Sequence, residues 1–176
     1  MWQLVKKHTA LYEIGIHPSW QSNVKASLLK DEIEWLAEMS GIKNITISRQ
    51  HYIKFALPHT YRTLIEDGIE NEFSMGYGSI NGFRASVASS FFWYDLEKEI
   101  HTALRIHPFC FMDANAYYEQ KQNAEQAYEE LMHYYNICKT LNVTLITIWH
   151  NNFLGTVKEF EGWREMYERL IAQVQQ

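Results

Sequence analysis

His150 stands directly behind the run 143–149 (VTLITIW), the most strand-like stretch of the chain. A histidine there is carried on rigid structure, and its side chain suits proton transfer near neutrality. The alternative is a loop histidine bonded to a backbone carbonyl. His17 follows Gly15-Ile16 and precedes Pro18, which fixes the backbone just beyond it. It reads as a metal ligand or substrate contact, or else as a polar turn residue. Arg49 and Tyr52 place a guanidinium and a phenol close together, suited to orienting a carboxylate or stabilising an oxyanion. An arginine bridging to an acidic loop is the other reading. His51, His59, His101, His107 and His133 have no spacing of a ligand cluster. No G-x-S-x-G, H-E-x-x-H or phosphate-cradling glycine loop is present, which leaves serine hydrolase, zincin and nucleotide readings without support.

These residues need elements to hold them, and the pattern repeats as strand, polar turn, helix. Strands are expected at 11–16, 44–48, 73–77, 103–111 and 143–149. The run 103–111 delivers Asp113 just past its end. Helices are expected from Ser22 or Asn23 to Ser40, stopped by Gly41, then from Pro58 to the Asp67-Gly68 stop. Two more should span 114–141 and about 157–174. Alternating strands and helices predict an α/β fold with a parallel sheet and right-handed crossovers. In such folds the functional face lies at the carboxyl ends of the strands, where His17, Arg49, Asp113 and His150 all fall. About five strands are fewer than a closed barrel needs. The expectation is one domain over 1–176, with an opening strand or strands lying before residue 1.

Composition narrows the function classes. The chain has 176 residues, 47% hydrophobic and 21% charged, close to a soluble globular average. A net charge of -5 without a basic run argues against a nucleic-acid binder. No stretch approaches the roughly 20 apolar residues of a membrane helix. The N-terminus lacks the apolar run of a signal peptide, so a cytoplasmic or envelope-associated location stays open. Cys110 and Cys138 have no paired spacing and read as two reduced, buried thiols. Aromatics at 15% suit a sugar-stacking surface, and suit an ordinary aromatic core slightly better.

Taken in order, the segments resemble the polysaccharide deacetylases, the NodB-homology fold also called family-four carbohydrate esterases. The segment 13–19 (EIGIHPS) is similar to the one carrying that family's metal-binding histidines. Arg49-Gln50-His51-Tyr52 resembles its Arg-x-x-Tyr motif, and Ile148-Trp149-His150 its closing Leu-x-His motif. Gly76-Tyr77, Gly82-Phe83-Arg84 and Tyr94-Asp95-Leu96 resemble a divergent bacterial branch. The resemblance implies a partial or distorted (β/α) barrel that removes acetyl groups from a polysaccharide or oligosaccharide with a divalent metal, zinc or similar. It implies His150 as general acid, Arg49 at the oxyanion, Tyr52 and Arg84 as substrate contacts, and His17 as a metal ligand.

Two family features are missing. The adjacent aspartates that supply the general base have no counterpart, and Gln21 stands where a second metal histidine would be. The chain is therefore expected to be the C-terminal part of a longer deacetylase-like protein, inactive by itself. The alternatives are a non-catalytic domain that binds glycan or a protein partner, and an unrelated α/β binding domain.

Overall fold

The computed structural model describes residues 2–175. Its elements, in chain order, are α1 (Trp2–His8), α2 (Ala26–Ser40), β1 (Ile47–Ser48), α3 (His59–Glu66), β2 (Asn71–Glu72), β3 (Phe91–Asp95), β4 (Ile100–Ile106), β5 (Phe111–Met112), α4 (Ala124–Leu141), β6 (Thr147–Ile148) and α5 (Trp163–Val174). They divide between two compact units, Met1–Met75 with Ser90–His107, and Gly76–Ser89 with Pro108–Gln176.

The first unit is built on a four-stranded sheet of order β1-β2-β4-β3. The β1-β2 and β2-β4 pairs are parallel, with Ser48, Glu72 and Ile106 in register at their carboxyl ends. The segment before β1 joins only through Ile16, which bridges to Ser48 in parallel. The expected strand 11–16 is thus reduced to one residue, because Leu11 and Tyr12 lie exposed and pair with nothing that would bury them. Gly15 explains how this segment approaches β1 at all. A Cβ there would sit 2.7 Å from the Ile47 carbonyl oxygen, closer than real Cβ atoms come.

The all-parallel expectation also gives way at β3, which pairs antiparallel with β4 in a hairpin with an irregularity between Phe92 and Tyr94. The run Phe91-Phe92-Trp93-Tyr94 hides its alternation, since every residue in it is aromatic, yet Trp93 and Asp95 turn inward and Phe92 and Tyr94 outward. Under this sheet pack Leu29 and Ile33 of α2, Tyr61 and Leu64 of α3, and Leu104 and Ile106 of β4. Burying each such aliphatic side chain contributes roughly 1.5–3 kcal/mol. Helix α2 ends at Gly41 in the left-handed conformation, φ 78°, as its sequence predicts.

The second unit carries the parallel pair β5-β6, with Phe111 opposite Thr147 and Met112 opposite Ile148. Its core joins Phe111, Leu131 of α4, Phe153, Phe160, and Trp163, Met166 and Leu170 of α5. The expected single helix over 114–141 is two pieces. A turn of π-helix (Asn115–Glu119) comes first, then α4. The break is set by Asn123, whose side chain accepts from the Gln126 N–H while the Gln126 side chain accepts from the Asn123 N–H. This reciprocal cap fixes a new helix start. Cys110 and Cys138 are free and buried, and burial pushes both thiols up in pKa.

The strands pair in two small sheets, and barrel closure is not shown by that pairing. No described helix is long and apolar enough to cross a membrane.

Candidate active site

In the second unit, the paired strands β5 and β6 deliver two residues to one end. Asp113 follows Met112 directly, and His150 follows Ile148 by two residues. Asp113 is fully buried. Its Oδ1 lies 2.6 Å from His150 Nδ1 and also accepts the Ala114 N–H at 2.7 Å. Its Oδ2 accepts the His150 backbone N–H at 2.6 Å. One carboxylate therefore holds both the ring and the main chain of the histidine. Because a carboxylate accepts, Nδ1 is the donor, and the imidazole is oriented with Nε2 as its opposite ring nitrogen. The His150 side chain keeps 46% of its surface exposed while its partner has none. A buried carboxylate behind a half-exposed imidazole fixes the orientation of the ring and of the main chain that carries it.

The loop 76–89 is pinned beside this pair. Asn115 Nδ2 donates to the carbonyls of Tyr77 and Ile80, and the Asn81 side chain accepts the Met112 N–H while donating to Glu130. Gly76 lets the loop start there, since a Cβ would fall 2.2 Å from the ring of buried Phe109. Arg84 lies in this loop with its side chain exposed.

In the first unit, the carboxyl ends of the parallel strands carry a second polar cluster. His17 Nδ1 donates to the Arg49 carbonyl at 2.8 Å, and its ring stacks on His51 at 4.7 Å between centroids. His51 meets the Tyr52 ring edge-on at 4.4 Å. Tyr52 is 78% exposed and sits at φ 55°, and buried Ile53 after it has the same φ. Two successive side-chain-bearing residues in the left-handed region store backbone strain, with β-branched Ile53 the costlier of the two. Arg49 turns inward. Its Nε donates to the Phe73 carbonyl at 3.2 Å, its guanidinium lies over the Phe73 ring, and burial lowers its pKa against the opposing pull of Glu72.

Glu72 is wholly buried at the end of β2. Burial pushes its carboxyl up to about 7, in spite of bonds from the Ser74 hydroxyl and N–H, the Tyr61 hydroxyl and the charge of Arg49. His107, one residue past β4, is bonded at both ring nitrogens, to Ser90 Oγ and Asn71 Oδ1, and stacks on Phe73. Burial, then the charge of Arg105, lowers its pKa, so it is held neutral as a structural residue.

The candidates named from sequence thus fall as two sets. His17, Arg49 and Tyr52 belong to the first unit, where His51 links His17 to Tyr52. Arg84 and His150 belong to the second. Sequence reading placed Asp113 at a strand end without giving it to His150, and it passed over Glu72. The signal for the former was present, since the residues after two parallel strands become neighbours when those strands pair in register. Glu72 gave none, because the expected strand began one residue after it.

The donors at hand do not fit a resident divalent ion. Among the described residues no group of three His, Cys, Asp or Glu side chains could hold one. His17 brings a single imidazole, and zinc sites need three or four protein ligands.

No family model matches the chain, and no curated protein matches it. Among solved structures it is similar to a Mycobacterium smegmatis protein provisionally described as a polysaccharide deacetylase, with a TM-score of 0.69 and 16% identity over 98% of this chain. The likeness shows a shared mixed α/β fold. The chain spans about 60% of the length of that solved chain.

Proposed function

We propose that this chain is part of a carbohydrate deacetylase in which His150 transfers the proton that lets an acetyl group leave its sugar. The carrying observation is the Asp113–His150 pair at the ends of β5 and β6. Asp113 holds Nδ1–H, so the proton to be moved resides on Nε2, and the buried negative charge stabilises the imidazolium before it acts as general acid. Protonating the sugar nitrogen or oxygen prevents expulsion of a strongly basic anion. Such a contribution is typically about 10²–10⁴-fold. The likeness to a provisionally described polysaccharide deacetylase supports acetylated glycan as the substrate class. In this reading the strand ends belong to a partial or distorted (β/α) barrel, with Arg84 as the substrate contact of the second unit and Arg49 and Tyr52 as the substrate-binding candidates of the first. In the same reading the general base is supplied from outside residues 1–176, and His17 is the metal-ligand candidate of the first unit.

Acetate release from N-acetylchitooligosaccharides with added divalent metal tests the proposal, using the full-length protein and this chain separately. The full-length protein should turn over, with kcat lower by about 10²–10⁴ in His150→Ala, and the isolated chain should release little or none. Equal rates in wild type and His150→Ala would reject the assignment. The poor donor set for a metal favours a second reading, a non-catalytic domain that binds glycan or a protein partner. Binding without acetate release from the full-length protein would select it.

A further inference from the structure

The chain between His17 and α2 does not join the histidine cluster or the sheet. It folds as a 3₁₀ turn (Trp20–Asn23) that opens a cavity of about 520 Å³ against the start of α2. That volume lies within the range of small-molecule sites, about 300–1,000 Å³. Trp20 lines it and remains 49% exposed, although an indole normally hides its faces. Val24 and Leu28 extend the apolar lining, and Ser19, Lys25 and Glu32 supply polar groups.

Two polar features of this turn are unusual. Ser19 Oγ is withdrawn from solvent and has no hydrogen-bond partner, and both side-chain amide atoms of Asn23 share that condition. Buried polar atoms are nearly always bonded, and one left unpaired costs about 1–3 kcal/mol. Glu32 is held at the other side by the Ser19 N–H, which donates to its Oε2 at 2.8 Å. A carboxylate accepts several hydrogen bonds, so capacity remains beyond this one. Lys54 lies over the Trp20 ring at 5.8 Å and fixes the indole by a cation–π contact.

We propose that this cavity is a carbohydrate subsite that takes one pyranose ring, stacked on Trp20 and hydrogen-bonded by Lys25 and Glu32. A pyranose has an apolar C–H face and a rim of hydroxyls, and the lining has the same division. The face lies on Trp20, Val24 and Leu28, while the rim meets Glu32 as acceptor and Lys25 as donor. A purely apolar guest would leave Lys25 and the remaining acceptor capacity of Glu32 unused.

The proposal rests on the carbohydrate reading of the chain but is tested without turnover. Titrating the 176-residue chain with N-acetylchitotetraose and with cellotetraose, while following the Trp20 indole N–H resonance, should give saturable shifts. Trp20→Ala, at an exposed site that leaves both cores untouched, should weaken binding by at least about tenfold, and Trp20→Phe should restore part of it. Unchanged affinity in Trp20→Ala, or an indole that responds to the apolar probe anilinonaphthalene sulfonate and to neither oligosaccharide, would overturn the subsite. If acetate release fails while Trp20-dependent binding holds, the hydrolytic reading falls and this site stands.

Discussion

Replacing Glu72 by Gln should change how the stability of this protein depends on pH. Glu72 is enclosed by the first unit, and burial raises its carboxyl from an ordinary 4.5 to about 7 in the folded chain. The folded state therefore holds a proton that the unfolded chain has already released between those two values. Its contribution is complete below about pH 4.5 and is lost as pH rises through about 7. At 1.36 kcal/mol per pH unit the full change is roughly 3 kcal/mol. Gln has nearly the same shape, its amide oxygen can accept the Ser74 N–H as Glu72 Oε1 does, and the Tyr61 hydroxyl can reverse from donor to acceptor. The substitution should therefore keep the packing and remove the titration.

Urea denaturation of both proteins at half-unit steps from pH 4.5 to 8 provides the assay. The stability of Glu72→Gln relative to wild type should climb by roughly 3 kcal/mol across that range. With urea m-values of about 1–3 kcal/mol/M, the relative midpoint moves by about 1–3 M. Other acids that titrate, including Asp67 with its burial-raised pKa, are common to both proteins and cancel in the difference. A separation that stays constant from pH 4.5 to 8 would refute the reasoning, since Glu72 would then be ionised alike in the folded and unfolded chain.

The remaining expectations concern other parts of the fold. Asp113→Ala should destabilise the chain by about 2–4 kcal/mol in urea, because it strips the acceptor from His150 Nδ1 and from two backbone N–H groups. His150→Ala, at a half-exposed ring, should cost much less in the same measurement, and a reversed order would contradict the described pair. Gly76→Ala should cost at least about 1–3 kcal/mol, since the new methyl would fall on the buried Phe109 ring; thermal melts that coincide with wild type would show that the loop does not approach that ring. Cys110 and Cys138 should resist iodoacetamide in the native chain and react fully in denaturant, as read by mass spectrometry, because both are buried with raised pKa values.

Much of this protein was fixed by local chemistry, which is why it could be read from the chain alone. Gly41 stops α2, Pro58 opens α3 and Asp67-Gly68 closes it, because φ preferences act within a few residues. The polar residues Arg49, Asp113 and His150 were legible as strand ends because an apolar run followed by a polar one marks where a buried strand leaves the core. Even the break between the π turn and α4 was written in Asn123 and Gln126, although the longer helical pattern around them masked it.

Tertiary structure decided the rest, for reasons that no local pattern contains. The residues 11–15 have strand-like composition, but Leu11 and Tyr12 bond back to the His8 carbonyl, and it is Ile16 that bridges to β1. The β3–β4 hairpin depended on which side of an all-aromatic run met the core, and its turn has Glu99 at φ 52° in place of a glycine signal. Glu72 became a titrating buried acid only when the first unit closed over it. His150 is held by a carboxylate 37 positions away in sequence, and that separation is spanned by parallel pairing of β5 with β6. The sequence determined which residues stand at strand ends. Strand pairing, a long-range choice made by burial, decided that Asp113 and His150 would meet.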